Sequence, residues 1–224
     1  MAWLKRDPLA VVKAKAELYR RQPLTWLFGR PGLPAQVKTR DEHDPSIEAK
    51  PFPDKRYIRE VVRLWQTHRM NIWEKSRQVM ASWTLCALYL HDTQFGVNRL
   101  NFISSKKELD ADALLRRCFF MWENQQPWLK ALCPAEYSFC HLRFFRPDRS
   151  SEMPYSELFA IPQGGDIIRQ YTGSGLLLDE AAFMPDLESA LGAAQPMLKG
   201  GGRIDVVSSA EPGYFQDLAE DRVT

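Results

Sequence analysis

Residues 75–82 read KSRQVMAS and lie between a short apolar stretch, Met70–Trp73, and a long apolar stretch, Trp83–Leu90. The first stretch has the length of a strand and the second has the length of a helix. A strand, a polar loop and an almost wholly apolar helix in this order are typical of a sheet whose faces are covered by helices. The order indicates an α/β protein.

The same alternation continues towards the carboxyl end. Strands are predicted at Leu100–Ile103, Leu142–Phe145, Leu158–Ile161, Leu176–Leu178 and Ile204–Val207, and an amphipathic helix at Leu109–Trp122. The second and third of these strands form an excursion that we interpret as antiparallel, and the others belong to a mostly parallel sheet with helices on both faces. Polar residues follow the last two strands, at the edge where open α/β sheets bind ligands.

The first 53 residues differ in composition from the rest. Asp7–Arg21 predicts an amphipathic helix, and six prolines between Pro23 and Pro53 favour an extended arm with no core of its own. Asp54 then opens a helix whose apolar stripe runs from Tyr57 to Trp65. We therefore expect a helical and Pro-rich arm over residues 1–53 and the core over residues 54–224.

Overall composition excludes several classes of protein. Hydrophobic residues make up 45% of the chain and charged residues 26%, with a mean hydropathy of -0.38, which is typical of a soluble globular protein. No apolar run is long enough to span a bilayer, and the amino terminus has no secretion signal. The four cysteines form no CxxC pair and the four histidines stand apart, so we expect reduced thiols, no disulfide framework and no zinc site.

Charge is distributed unevenly along the chain. Residues 1–40 carry nine basic and two acidic residues, whereas residues 152–224 carry four basic and twelve acidic residues. The basic segment could meet a polyanion or an acidic partner, and the alternative is a solvated helix face.

Residues 75–82 have the spacing of a phosphate-binding loop, G-x-x-x-x-G-K-[ST]. Lys75, Met80 and Ala81 replace the two glycines and the lysine, and Ser82 keeps the hydroxyl that binds Mg²⁺. Lys75 and Arg77 restore positive charge at the front of the loop, and the N–H groups of the following helix can hold phosphate oxygens. The alternative is a basic turn in front of a core helix.

Residues 176–180 read LLLDE, an apolar strand that ends in two acids. In a nucleotide hydrolase Asp179 would hold Mg²⁺ through water, and Glu180 would orient or deprotonate the water that attacks the γ-phosphate of ATP. Apolar runs that end in Asp-Glu also occur by chance. The order and spacing of this stretch relative to residues 75–82 favour a site for ATP and Mg²⁺.

Together these stretches resemble the ATPase (motor) domain of the large terminase subunit of tailed bacteriophages. The loop of that family reads similarly to SRQ, and a deviant class places the lysine first, as in KSRQ of residues 75–78. DEAAF of residues 179–183 is a further match, and SSAEPG of residues 208–213 is similar to the coupling motif of the family. The resemblance covers roughly Pro51–Gly213.

The resemblance implies a P-loop NTPase fold of the ASCE or RecA-like type and assigns roles to single residues. The implied nucleotide-binding residues are Lys75, Ser76, Arg77, Gln78, Val79, Met80, Ala81 and Ser82, with Tyr57 near the adenine and Phe52 and Arg56 beside it. The implied Mg²⁺ ligands are Ser82 and Asp179, the implied catalytic residues are Glu180 and Arg169, and the implied coupling residues are Ser208, Ser209 and Ala210.

Arg169 is the candidate arginine finger, acting on the ATP of a neighbouring subunit. The alternative is an arginine that ends a strand and pairs with a nearby carboxylate. Lys106, Lys107, Arg143, Arg146 and Arg149 form cationic clusters able to touch DNA phosphates, and the alternative for each is a solvated surface.

The resemblance also implies partners: double-stranded DNA, the portal protein, the small terminase subunit, and further copies of the chain in a ring when active, with a monomer otherwise. No membrane is involved, and the implied location is the host cell cytoplasm. Large terminases normally continue into a nuclease domain, whereas this sequence stops shortly after the coupling motif. We therefore expect no nuclease activity, and a truncated chain or a split gene.

Two other functions remain open. Residues 179–182 and 208–210 are also similar to helicase motifs, although 224 residues leave no space for the second RecA-like domain that a helicase needs. A degenerate nucleotide fold that serves only as an assembly module is the third possibility.

Overall fold

The computed structural model describes residues 8–40, 46, 48–76, 79–148, 150–164 and 166–222. Its α-helices are α1 (Pro8–Arg21), α2 (Pro23–Phe28), α3 (Arg56–Thr67), α4 (Ala81–Phe95), α5 (Glu108–Glu123), α6 (Pro127–Leu132), α7 (Asp166–Gln170), α8 (Leu187–Lys199) and α9 (Tyr214–Ala219). Its strands are β1 (Lys38–Thr39), β2 (Lys50–Pro51), β3 (Met70–Glu74), β4 (Leu100–Ser104), β5 (Ala135–Ser138), β6 (His141–Phe144), β7 (Ser156–Ile161), β8 (Gly175–Asp179) and β9 (Arg203–Ser208). A 3-10 helix, Ala181–Phe183, follows β8.

Seven strands form the central sheet in the order β3-β9-β8-β4-β7-β6-β5. The five strands from β3 to β7 in this order are parallel, whereas β6 is antiparallel to both β7 and β5. The mostly parallel α/β sheet that the sequence predicts is therefore confirmed. Because β9 lies between β3 and β8, the carboxyl ends of these three strands meet at one edge.

Helices cover both faces of this sheet. Along β8, Leu177 packs into the core that includes α4 and α5, whereas Leu176 and Leu178 pack into the core that includes α8. This alternation is the period of two expected of a strand whose faces are both buried. The apolar run of residues 176–178 thus supplies both cores from one strand.

Helix α4 is buried almost all round, as its uniformly apolar sequence predicts. It packs against α3, α5 and the sheet, so its amino terminus is held at the edge where β3 and β8 end. In the part of the chain that the structure describes, no helix is both long and apolar enough to cross a lipid bilayer.

The amino-terminal segment is more ordered than an extended arm. Pro23 begins helix α2 because proline is well tolerated in the first turn of a helix. Trp26 and Leu27 are fully buried in the same core as α4, and His91 Nε2 lies 2.9 Å from the carbonyl oxygen of Tyr19. The expectation that the Pro-rich stretch has no periodic structure is corrected here, while the domain boundary at residue 53 stays a prediction.

The excursion beyond β4 contains one strand that the sequence did not indicate. β5 pairs with β6, and β6 pairs with β7, in an antiparallel meander, whereas β7 also pairs with β4 in parallel. Buried Asp112 of α5 accepts hydrogen bonds from the Tyr137 hydroxyl at 2.8 Å and from the Cys140 amide at 2.8 Å. These bonds fasten the meander to the helix layer.

Candidate active site

An ion pair joins the ends of two strands that are far apart in sequence. Lys75 follows β3, and its Nζ donates a hydrogen bond to Oε1 of Glu180, which follows β8, at 2.8 Å. The Lys75 side chain is 12% exposed and the Glu180 side chain 33% exposed. The pair therefore forms at the mouth of the site, partly shielded from water.

The backbone of Lys75 is fixed by the strand between them. Its amide donates to the carbonyl oxygen of Ser208 at 2.9 Å, which continues the pairing of β3 with β9 past the end of β3. Ser208 itself is fully buried, and its hydroxyl has no hydrogen-bond partner among the described residues. A buried hydroxyl at the tip of a central strand can therefore respond to what binds there.

A second contact joins the start of α4 to the end of β8. The Ser82 hydroxyl donates to Oδ1 of Asp179 at 2.8 Å. Asp179 is 5% exposed, and burial raises the pKa of its carboxyl group above the ordinary value. The Ser82 hydrogen bond and the charges of Lys75 and Arg117 oppose this shift, whereas the charge of Glu180 adds to it.

Two residues of the site have a left-handed backbone. Met80, which stands in place of the second loop glycine, has φ 56° and ψ 15°, and Glu180 has φ 55° and ψ 40°. Non-glycine residues adopt this region at a cost, and such residues concentrate at functional sites. The loop thus keeps a turn of glycine type without the glycine, and the Met80 carbonyl oxygen accepts the Thr84 amide at 2.9 Å.

A cleft of about 290 Å³ opens beside Lys75. Tyr57, Ile58 and Val61 of α3 form one wall, and Trp73 of β3 forms part of another. Further lining residues are Glu74, Lys75, Ser76, Val79, Ala81, Thr84 and Leu85. The cleft is mostly apolar with a cation at one end, and Tyr57 is half exposed rather than part of the buried helix stripe that the sequence predicts.

Comparisons with known proteins place this arrangement among solved structures. No protein-family model matches the chain, and no curated protein matches it. The ATPase domain of the Thermus phage P74-26 large terminase matches with a TM-score of 0.60 at 14% identity, over 74% of this chain and 69% of that chain. The chain has the fold of a phage large terminase ATPase domain.

Two further large terminases match over a smaller share of their own length. That of a thermophilic bacteriophage, in complex with ADP, has a TM-score of 0.52 at 14% identity, over 75% of this chain and 43% of that chain. That of bacteriophage HK97 has a TM-score of 0.52 at 14% identity, over 71% of this chain and 34% of that chain. The matched region is therefore less than half of these two terminases, and the resemblance that the sequence indicates is confirmed for the fold.

Within this terminase-like fold, several predicted residues lie away from the Lys75–Glu180 pair. Arg169 lies on α7, not at a strand end, and its guanidinium pairs with Asp166 at 3.1 Å on the surface. Arg143 of β6 lies 3.6 Å from Glu157, and Lys106 and Lys107 precede α5. Arg77, Gln78 and Arg149 lie outside the described residues.

Sequence reasoning missed Arg117 of α5. Its guanidinium carbon lies 5.4 Å from the ring centroid of Trp83, which directly follows Ser82. No motif contains it, and the only signal in the sequence is its place among the polar residues of an amphipathic helix. The contact depends on how α5 packs against α4, which a local pattern does not specify.

Proposed function

We propose that the chain is the ATPase motor domain of a DNA-packaging large terminase, which couples the hydrolysis of Mg²⁺-bound ATP to translocation of double-stranded DNA into a procapsid. One observation carries the proposal. Lys75, Ser82, Asp179 and Glu180 come from three separate segments and pair with one another at the carboxyl edge of the sheet. A basic turn in front of a core helix would not bring a cation, a hydroxyl and two carboxylates together.

The proposed nucleotide site extends from the loop to the apolar cleft. Lys75 and the first N–H groups of α4 would bind the phosphates, because the start of a helix presents unpaired donors and a positive dipole end. Ser76 and Val79 line the cleft, and Tyr57 would pack against the base there. Arg77, Gln78, Met80 and Ala81 complete the proposed loop.

The oxygen atoms of Ser82 and Asp179 fit a magnesium ion. A hydroxyl and a carboxylate are hard oxygen donors of the kind that Mg²⁺ prefers, and they lie within one hydrogen bond of each other. A bound Mg²⁺ would neutralise charge on the phosphate oxygens. Ionised Asp179 is disfavoured by burial, so a cation at this position would also stabilise its charged form.

Glu180 is the proposed general base. It would take a proton from water as the water oxygen attacks the γ-phosphorus, and the bond to the β-phosphate oxygen would break to give ADP and phosphate. Without nucleotide, Lys75 holds this carboxylate. Because the phosphates of ATP would compete for Lys75, substrate binding would release Glu180 for catalysis.

The assembled motor needs groups from other copies and partners. Arg169 is exposed, as an arginine finger acting in trans must be, and Ser208, Ser209 and Ala210 would pass the loss of the γ-phosphate to a moving segment. We propose double-stranded DNA, the portal protein and the small terminase subunit as partners. The chain would be a monomer alone and a ring when active, in the host cell cytoplasm.

The test is phosphate release with and without double-stranded DNA, over concentrations at which copies assemble. Glu180→Gln should lower the rate by about 10²- to 10⁴-fold while ATP still binds, because the general base is lost and Lys75 is not. Glu188→Gln, an exposed change on α8, is the matched control and should keep the wild-type rate. Absence of turnover in every assembly state, with partners still bound, would favour the assembly module instead.

A further inference from the structure

Helix α5 brings a cation to the first turn of α4. The Arg117 guanidinium carbon lies 5.4 Å from the ring centroid of Trp83, and Trp83 is 6% exposed. A guanidinium that lies over an indole face is attracted by the ring, and the ring also restricts where the side chain can point. Since Trp83 directly follows Ser82, Arg117 is held beside the proposed phosphate site.

The charge of Arg117 is not committed to a carboxylate. In the described part of the chain, its neighbour Arg116 pairs with Asp112 at 2.8 Å, whereas no ion pair involves Arg117. Its charge nevertheless reaches Asp179, where it is one of the influences that lower the pKa of that carboxyl group. A partly buried cation that faces an acidic metal-type ligand without pairing is suited to a ligand that carries negative charge.

Arg117 and Lys75 approach the end of β8 from different sides. Lys75 extends from β3, which lies on one side of β8 beyond β9, whereas α5 packs on β4 and β7 on the other side. A phosphate group above Asp179 would therefore lie between the two cations. The lysine expected within the loop is absent, because Ala81 occupies its position.

We propose that Arg117 is a second cation of the nucleotide site, supplied by the same chain, and that it contacts the γ-phosphate of ATP. This inference rests on the proposed function and adds to it the group that distinguishes ATP from ADP. Trp83 is the positioning residue that holds the guanidinium in place. Arg117 would then compensate, from another helix, for the positive charge that Ala81 does not provide.

The test compares the affinities of ATP and ADP, each with Mg²⁺, by calorimetry on the full chain. A charged hydrogen bond to a phosphate is worth on the order of 10- to 100-fold in affinity. Arg117→Ala should therefore lower ATP affinity by about that factor and change ADP affinity by less than about threefold. Arg117→Lys should retain part of the ATP affinity, since it keeps the charge and loses the planar fork.

Arg116→Gln is the matched control, because it removes the same charge one residue away and should leave both affinities unchanged. Trp83→Leu should give an intermediate loss for ATP alone, and melting temperatures exclude loss of the fold. Equal losses for ATP and ADP in Arg117→Ala, or no loss at all, would overturn the inference. If wild-type protein binds neither nucleotide, the proposed function fails instead.

Discussion

Lys75 Nζ donates to Glu180 Oε1 at 2.8 Å across 105 residues of sequence. The two residues end strands that are separated in the sheet by β9 alone. A cation that pairs with the proposed general base, and is also the proposed phosphate ligand, links substrate binding to activation of the base. The pair gives this site a nucleotide-free state in which Glu180 is neutralised.

Lys75→Ala should lower ATP affinity by about 100-fold or more, because Lys75 is the proposed replacement for the missing loop lysine and charged hydrogen bonds to phosphate are strong. Calorimetric titration with ATP and Mg²⁺ measures this. Lys55→Ala, an exposed lysine before α3, is the control and should bind as wild type does. Unchanged affinity in Lys75→Ala would refute the role of this lysine.

Ser82→Ala should weaken ATP binding in the presence of Mg²⁺ and have little effect in the presence of EDTA. The reason is that the hydroxyl is proposed as a ligand of the ion and not of the phosphates. ATP affinity measured with and without Mg²⁺ gives the result as a ratio, which we expect to fall about tenfold in the variant.

Ser82→Thr is the matched rescue, because threonine keeps the hydroxyl at the same position. It should restore most of the Mg²⁺ dependence. An equal loss in Ser82→Ala with and without Mg²⁺ would mean that the contact with Asp179 only shapes the loop.

The central strands and the site carboxylates could be predicted because their signals are local. LLLDE of residues 176–180 contains both the apolar run that builds β8 and the acids at its tip, and the order of the strands brings them to one edge. KSRQ of residues 75–78 likewise follows a readable strand. Short motifs that sit at strand ends are therefore visible in sequence.

The contacts between helices could not be predicted in the same way. Arg117 meets Trp83 only because α5 packs against α4, and the burial of Trp26 and His91 depends on how α2 folds back onto α4. The prolines of the amino-terminal segment suggested an arm, but Pro23 begins a helix. The conformation of Met80 was also hidden, since methionine carries no signal for a left-handed backbone.

Met80→Gly should keep ATP affinity and change the free energy of unfolding by no more than about 1 kcal/mol, because glycine adopts φ 56° without steric cost while its unfolded state gains entropy. Met80→Val should lower the free energy of unfolding by on the order of 1–2 kcal/mol and weaken ATP binding, because a β-branched side chain is strained in this region. Urea unfolding and ATP titration measure the two effects.

Met153→Val tests whether the substitution itself is harmful, since Met153 is 73% exposed on a loop. It should leave unfolding and binding unchanged. If Met80→Val behaves in the same way, the left-handed turn does not shape the loop for phosphate.

Stability should fall in mildly acidic solution because of His91. Burial lowers the pKa of His91 from 6.5 to about 4, and its Nε2 lies 2.9 Å from the Tyr19 carbonyl oxygen, which only accepts. The unfolded chain therefore binds a proton that the folded chain rejects. The stabilisation is complete above pH 6.5 and is lost as the pH falls towards 4, by on the order of 3 kcal/mol over that interval.

Urea unfolding at a series of pH values from about 4 to 8 measures this dependence. In His91→Gln the glutamine does not titrate, so the curve should be flatter between pH 6.5 and 4, even though the variant is less stable at neutral pH. His68→Gln, at an exposed position after α3, should keep the wild-type slope. A slope that His91→Gln leaves unchanged would assign the acid sensitivity to other groups and remove His91 from the packing of α1 on α4.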